Sequence, residues 1–294
     1  TSRKFVQTKK YLESCSLSSD KNFISVVSRG KSFVMGNWNG AVFQYGKSQG
    51  VRYKHPIFYN DDKHLLLVSD SNNVERIEHH TIKSKSIKKT PLDFGRILSI
   101  KKSPKENIFT IINHKHELYI YDSKKETSKK VAHSKNDFID CNWSPDGRYI
   151  AFNCSVNSRC TVIKIYDLKT KKITDVTKPV NKDFSPVFDD KGKYLAFISI
   201  RTFKPLYDNI QFDLSFQKAE KPYIVTLNKD TKSPFVKNPE NENKKEEKNK
   251  GKKKDKDKDI KVSIDFDGIS DRIMEIPIDS ERLFNNLSFS NNKL

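Results

Sequence analysis

Cys141-Asn142-Trp143-Ser144-Pro145-Asp146-Gly147-Arg148-Tyr149-Ile150-Ala151-Phe152 reads as a β-hairpin, and its repetition decides the fold. Pro145 presets φ for the first central position of a turn, Asp146 can bond its own backbone, and Gly147 is free to take positive φ. On one flank Ile139, Cys141 and Trp143 alternate; on the other, Tyr149-Ile150-Ala151-Phe152 is a short apolar run. Both flanks read as strands.

Looser copies lie on either side of it. Ser18-Ser19-Asp20-Lys21 precedes Phe23–Val27, Asn60-Asp61-Asp62-Lys63 precedes Leu65–Val68, and Ser103-Pro104-Lys105-Glu106 precedes Ile108–Ile112. Phe188-Asp189-Asp190-Lys191-Gly192 precedes Tyr194–Ile198. The turn-to-turn spacing of about 40 to 45 residues is that of four-stranded propeller blades. Leu118-Tyr119-Ile120-Tyr121-Asp122 and Ile163-Lys164-Ile165-Tyr166-Asp167 are alternating strands at matching positions, each followed by a Lys-rich turn. Such a meander cannot bury both faces alone and must stack on its neighbours. No window sustains a capped 3.6-residue period. The fold class is therefore all-β, a propeller of four-stranded antiparallel blades with about five to six blades present.

Two stretches break the period. Arg201–Phe216 is aromatic-rich and too long for a hairpin turn, and reads as an ordered excursion packed on one face. Residues 238–261 are nearly all Lys, Glu, Asp and Asn, a composition that cannot repay its ordering entropy and reads as a disordered insertion. The organisation is thus blades over 1–237, the insertion over 238–261, and a partial further blade, truncated, over 262–294.

The 294 residues carry 56 Lys+Arg against 37 Asp+Glu, a net charge of +19. The excess is Lys scattered through turns and strand ends, without arginine clusters or a basic stretch interleaved with aromatics. It reads as a solvated surface rather than a nucleic-acid interface. Cys15, Cys141, Cys154 and Cys160 read as reduced thiols of a cytoplasmic protein. A bridge between Cys154 and Cys160 is sterically possible across their hairpin loop but needs an oxidising compartment. No apolar run approaches the roughly 18 to 20 residues of a membrane span. The chain starts without Met and ends on Asn291-Asn292-Lys293-Leu294, so it is read as cut from something longer.

The irregular stretches carry a family resemblance. Phe184-Ser185-Pro186-Val187-Phe188, Lys193-Tyr194-Leu195-Ala196-Phe197, Arg201–Asp208 and Gln211–Phe216 resemble the tricorn protease family, as do Lys221-Pro222-Tyr223, Val225-Thr226-Leu227 and Ser233-Pro234-Phe235. Upstream, Arg3–Val6, Arg29–Met35, Gly40-Ala41-Val42, Asp70 with Glu75-Arg76, and Asn113-His114 with Glu117-Leu118 are also similar, as is Asp265–Arg272 downstream. The resemblance places the chain on most of a seven-bladed propeller. It implies a peptide passage and filter ahead of a catalytic chamber, peptides and the remaining peptidase domains as partners, and assembly into a homo-oligomer, a hexamer in the family. It also implies that the Ser/His machinery lies beyond Leu294, so that no catalytic, cofactor or metal residue is carried over. The competing reading is a stand-alone propeller scaffold binding protein or nucleic acid.

Other constellations read as structure. Gly46-Lys47-Ser48-Gln49-Gly50 matches a nucleophile elbow but lacks the strand-to-helix context. Gly30-Lys31-Ser32 and Gly46-Lys47-Ser48 lack the first glycine of a phosphate loop, since Ser25 and Ala41 hold that place. His114 and His116 would share a strand face and His79 and His80 would face opposite ways, without further metal ligands at a recognisable spacing. Asp122, Asp167, Asp146 and Asp190 recur at equivalent positions and read as turn caps. Trp38 and Trp143 read as inter-blade packing.

Overall fold

The computed structural model describes residues 7–47, 49–136, 139–203, 205–210, 212–215, 219–235, 260–278, 284, 286–290 and 293–294. They fall into two compact units, Thr1–His133 and Ser134–Leu294.

The first unit holds three four-stranded antiparallel meanders. One comprises β1 (Leu12–Leu17), β2 (Phe23–Ser28), β3 (Lys31–Gly36) and β4 (Phe43–Tyr45). The next is β5 (Tyr53–Phe58), β6 (His64–Ser69), β7 (Arg76–Thr81) and β8 (Ile87–Lys89), and the third β9 (Ile97–Lys102), β10 (Ile108–Asn113), β11 (Glu117–Asp122) and β12 (Thr127–His133). In the second unit β13 (Cys141–Trp143), β14 (Tyr149–Ser155), β15 (Thr161–Asp167) and β16 (Ile173–Asp175) form the fourth sheet. The fifth begins with β17 (Lys182–Phe188) and β18 (Tyr194–Ile200). A separate ribbon of β19 (Leu206–Asp208) and β20 (Asp213–Ser215) follows, and β21 (Glu220–Thr226) with β22 (Ile273–Glu275) completes the sheet. Among the described residues helical structure is limited to three short 3-10 turns, at Thr8–Tyr11, Ser71–Asn73 and Ile269–Arg272. The expected blades are present as five four-stranded meanders, the last two joined into one eight-stranded sheet by a single parallel bridge between Thr161 of β15 and Lys182 of β17.

The repeated turn has one hydrogen-bond plan. Ser144 N–H donates to Tyr149 O at 2.9 Å and Gly147 N–H to Ser144 O at 2.9 Å, with Gly147 at φ 74. The Ser144 hydroxyl accepts Tyr149 N–H at 2.8 Å and donates to the Asp146 carboxylate at 2.6 Å. Ser18, Asp20 and Lys21 repeat the plan before Phe23, with Lys21 at φ 61. In the fifth sheet the register differs from the expected one, which matched Asp190 with Asp146: Asp189 stands where Ser144 stands, so Asp190 falls at the place of Pro145. The Asp189 carboxylate accepts Lys193 N–H at 2.6 Å and Tyr194 N–H at 2.7 Å. A carboxylate at the turn's first position can take both amides at once, and the serine hydroxyl takes one.

Each central strand is sandwiched, and period-two alternation decides which residue meets which neighbour. Leu66 and Val68 of β6 pack with Ile77, Phe109 and Ile111, while Leu65 and Leu67 pack with Tyr53, Phe58 and Val34 on the other face. Each such side chain contributes roughly 1.5–3 kcal/mol by leaving water, which is why these runs read as uninterrupted apolar sequence.

Three expectations change. Residues 262–275 complete the fifth sheet rather than start a further one: Val262 and Ile269 join the core of Phe188, Leu195 and Val225, and Ile273 pairs with Val225. On that sheet's other face, Ile276, Leu287 and Phe289 cover Val187, Ala196 and Ile224. Gly192 explains the close approach of this segment, since a Cβ at its φ of 67 would lie 2.4 Å from the Val262 side chain. Second, the described residues of the excursion at 201–216 are not all packed down. Arg201 anchors its root, 3.3 Å from the Asp183 carboxylate and 4.9 Å over the Tyr223 ring, but Phe203, Tyr207, Ile210 and Phe212 are exposed. Third, Trp143 is buried as expected whereas Trp38 is 86% exposed. The expected insertion at 238–261 lies outside the described residues apart from Ile260 and Lys261, as do Arg3–Val6.

Candidate functional site

In the first unit the opening strands of the three sheets, β1, β5 and β9, converge on one cleft of about 400 Å³. Each is an edge strand, so its outer side has no sheet partner. Ser14, Cys15 and Ser16 come from β1, His55 from β5, and Lys101 and Lys102 from β9. Leu17, Pro56, Ile57, Phe58 and Ile100 add apolar surface, so the wall is mixed, its charge is cationic, and no carboxylate is among its lining residues.

A backbone irregularity shapes the middle strand. His55 takes φ 51 ahead of Pro56, and the pairing with β6 slips between Lys54 and Ile57. Ser185 does the same ahead of Pro186, at φ 51, with a slip between Phe184 and Val187. A bulge of this kind bends the strand and re-aims side chains. Positive φ in a non-glycine residue is held only because the surrounding sheet over-determines it. The signal was present in the sequence as two copies of one pattern, His55-Pro56-Ile57-Phe58 and Ser185-Pro186-Val187-Phe188, each just before a repeat turn.

Ion pairs and turn contacts fix the cleft. Glu75 accepts Ile97 N–H at 2.8 Å and pairs with Lys54, which ties β5 to β9. Asp62 accepts the amides of Ser19 and Asp20 at 2.7 and 3.0 Å, and Asn60 N–H reaches Asn107 at 3.2 Å, so three successive repeat turns are linked. Lys102 donates to Ser19 Oγ at 3.2 Å. Burial lowers the Lys102 pKa, while Asp62 and Asp61 oppose that shift. Burial and the neighbouring Lys54 charge lower the His55 pKa, so this imidazole is neutral near pH 7.

Two buried polar clusters lie on opposite faces of β7, as the adjacency of His79 and His80 requires. Glu78, 2% exposed, accepts Ser69 Oγ at 2.6 Å and meets His80 Nε2 at 3.0 Å and Lys89 Nζ at 3.3 Å. Serine, histidine and a carboxylate meet here in the wrong order for nucleophilic catalysis: the hydroxyl bonds the carboxylate, and the histidine is not its base. On the other face His79 bridges the phenols of Tyr59, at 2.5 Å from Nδ1, and Tyr121, at 2.9 Å from Nε2. A neutral imidazole donates through one nitrogen and accepts through the other, so one phenol donates and its counterpart accepts.

Burial lowers the His79 pKa to about 4. A histidine depressed below its unfolded value near 6.5 contributes stability that falls as pH drops below about 6.5, with the loss complete near the native value. We expect the His79 ring protons to titrate with a midpoint near 4 by NMR, and His79→Gln to flatten part of the acid loss of stability. A midpoint near 6.5 would contradict the buried bridge.

The residues singled out by motif are structural in place. Gly46 follows β4 at φ 86, and a Cβ there would lie 2.2 Å from the Tyr53 ring, whose strand continues the chain where an elbow needs a helix; Ser48 lies outside the described residues. Arg29 and Gly30 form a tight β2–β3 turn at φ 51 and 72. His114 and His116 occupy the β10–β11 turn instead of a strand face, with His116 at φ 55 and His114 Nδ1 accepting Arg96 N–H at 3.2 Å. Asp122 caps Lys124 and Lys125 amides, and Asp167 caps Lys169 and pairs with Arg148 at 2.8 Å. That Arg148 hydrogen bond, ahead of the Lys169 amide, holds the Asp167 carboxyl at about 2. Cys154 and Cys160 are not joined by a disulfide. Among the described residues no group of three or more His, Cys, Asp or Glu could hold a metal ion, and no helix is long and apolar enough to cross a membrane.

Five meander sheets on one turn plan define a β-propeller domain. The chain belongs to the tricorn protease family: the family model for the tricorn protease second beta propeller domain matches residues 12–294. It is 34% identical over 99% of its length to a Tricorn-like protease C-terminal subunit of Sulfurisphaera tokodaii, and 31% identical over 99% to a tricorn protease homolog of Saccharolobus solfataricus. It spans 31% and 25% of those relatives. The crystal structure of the tricorn protease superposes with a TM-score of 0.71 at 19% identity, over 92% of this chain and 25% of that one, a likeness of fold.

Proposed function

We propose that the chain is the non-catalytic propeller domain of a tricorn-like serine peptidase in the cytoplasm. In this reading it admits and filters peptides on their way to catalytic domains, and offers assembly surfaces to those domains and to further copies of itself. The observation that carries the reading is the cleft of β1, β5 and β9. Edge strands supply main-chain donors and acceptors that suit an extended peptide whatever its sequence, and Lys101 and Lys102 supply a charge preference. A filter needs weak binding of this kind rather than a closed pocket.

The test is an anisotropy titration of extended, unstructured peptides of acidic and basic composition at low salt. The acidic peptide is expected to bind more tightly, and Lys101→Glu with Lys102→Glu to weaken it about tenfold, a loss of about 1.4 kcal/mol. Equal binding by the charge-reversed variant would remove the cleft from the account. RNA binding that outcompetes the peptide with a steep salt slope would favour a nucleic-acid scaffold.

A further inference from the structure

A second concavity in the first unit shares no residue with the cleft of β1, β5 and β9. It measures about 340 Å³ and lies beside the short strand β4. Val34, Met35, Phe43, Tyr45 and Ile82 supply apolar walls, and the floor is closed by the Tyr45 hydroxyl donating to Ile82 O at 2.9 Å. Its volume is at the small end of the range of ligand sites, about 300–1,000 Å³, room for one large side chain.

The charge on its rim is one-sided. Lys83 and Lys85, both exposed in the turn between β7 and β8, are the charged residues of the lining, and no Asp or Glu joins them. Among the described residues neither ammonium meets a carboxylate; Lys85 instead lies over the Phe43 ring, 5.1 Å from its centroid. Many other lysines of this unit do have acidic partners, among them Lys54, Lys88, Lys89 and Lys130. The remaining wall is a loop of small residues, Gly36 and Asn39-Gly40-Ala41, and this loop carries the exposed Trp38.

We propose that this pocket binds the C-terminal residue of a peptide when that residue is large and apolar. The side chain fills the cavity between Val34, Met35 and Phe43, and the terminal carboxylate takes the two unpaired ammonium groups of Lys83 and Lys85. Both requirements come from one residue type only at a chain end, because an internal apolar residue brings no carboxylate beside its own side chain. Lys85 exchanges a cation–π contact for an ion pair when the site fills.

Calorimetric titration of the whole chain with Ala-Ala-Phe and with its C-terminal amide tests the assignment. The free acid is expected to bind at least tenfold more tightly than the amide. Lys83→Ala with Lys85→Ala should abolish that difference, and both positions are exposed, so the fold is spared. Ala41→Phe, which fills the cavity from an exposed loop position, should weaken acid and amide alike. Equal binding of acid and amide, no measurable binding of either, or an acid preference that survives loss of both lysines would each overturn the proposal. Binding of 3-phenylpropionate as tight as the tripeptide's would also overturn it, by making a free aromatic acid the ligand. Because the two sites share no residue, failure here leaves the peptide cleft standing, and failure there leaves this pocket.

Discussion

Glu78→Ala is expected to destabilise the first unit by roughly 3–5 kcal/mol, the cost of breaking a buried ion pair from one side. The carboxylate is the hub of its cluster: Ser69, His80 and Lys89 all turn toward it, and Ser69 and His80 are fully buried. Removing it orphans a buried hydroxyl and imidazole and leaves the Lys89 ammonium with Ser71 Oγ, at 2.7 Å, in place of a counter-charge. Glu78→Gln keeps the shape and some of the hydrogen bonds and should cost less. The pH dependence follows from the carboxyl itself. Burial pushes its pKa up, but hydrogen bonds from His80 and Ser69 and the charges of His80 and Lys89 outweigh burial and leave it below the ordinary value of 4.5. A carboxyl depressed in the native state stabilises it fully above the unfolded value and loses that contribution as pH falls through the native value. Urea midpoints across that acid range should therefore converge for the native chain and Glu78→Gln. Parallel curves would show that Glu78 is not held as an anion.

Phe109→Ala should cost about 3–5 kcal/mol, the usual range for deleting a buried aromatic ring. Phe109 is fully buried, with ring centroids 5.2 Å from Tyr59 and 6.3 Å from Tyr121, the two phenols that His79 bridges. The cavity would open directly under that bridge, so the loss should be accompanied by a rise in the His79 titration midpoint as water enters. Phe212→Ala is the matched control. That ring is 75% exposed on the β19–β20 ribbon and its loss should fall within about 0.5 kcal/mol. A control as costly as Phe109→Ala would mean that the ribbon packs down after all.

The contrast between these two phenylalanines marks how far the sequence could be read. Phe109 lies in the uninterrupted run Ile108–Ile112, and such runs declare burial on both faces whatever their neighbours are. The five turns were legible because each local plan is closed by its own residues, Ser144 with Asp146 and Ser18 with Asp20. Where the turn changed its first residue to Asp189, the composition stayed Asp-Asp-Lys-Gly and the register was lost, because both aspartates satisfy the same turn statistics. Phe212 belongs to a stretch equally rich in aromatics whose exposure depends on what lies opposite, which composition does not encode. The same holds for 262–275, where β22 returns to a sheet begun about ninety residues earlier.

The candidate site was less legible than the fold. The cleft is assembled from three strands that are far apart in sequence, and its residues, serines, a histidine and lysines at strand positions, match no motif. The one local trace was the recurrence of X-Pro-apolar-Phe at His55 and Ser185. Trp38 and the pair Lys83 and Lys85 become informative only once the β4 loop and the β7–β8 turn are brought to one pocket.

The central claim, that this propeller receives peptides without cutting them, is tested most directly by hydrogen exchange and mass spectrometry on the chain with an excess of the extended acidic peptide. We expect slowed exchange confined to residues 14–17, 55–58 and 100–102, lost in the Lys101→Glu, Lys102→Glu variant, with the peptide recovered intact. Serine-dependent cleavage products, or protection elsewhere with none along β1, β5 and β9, would contradict it.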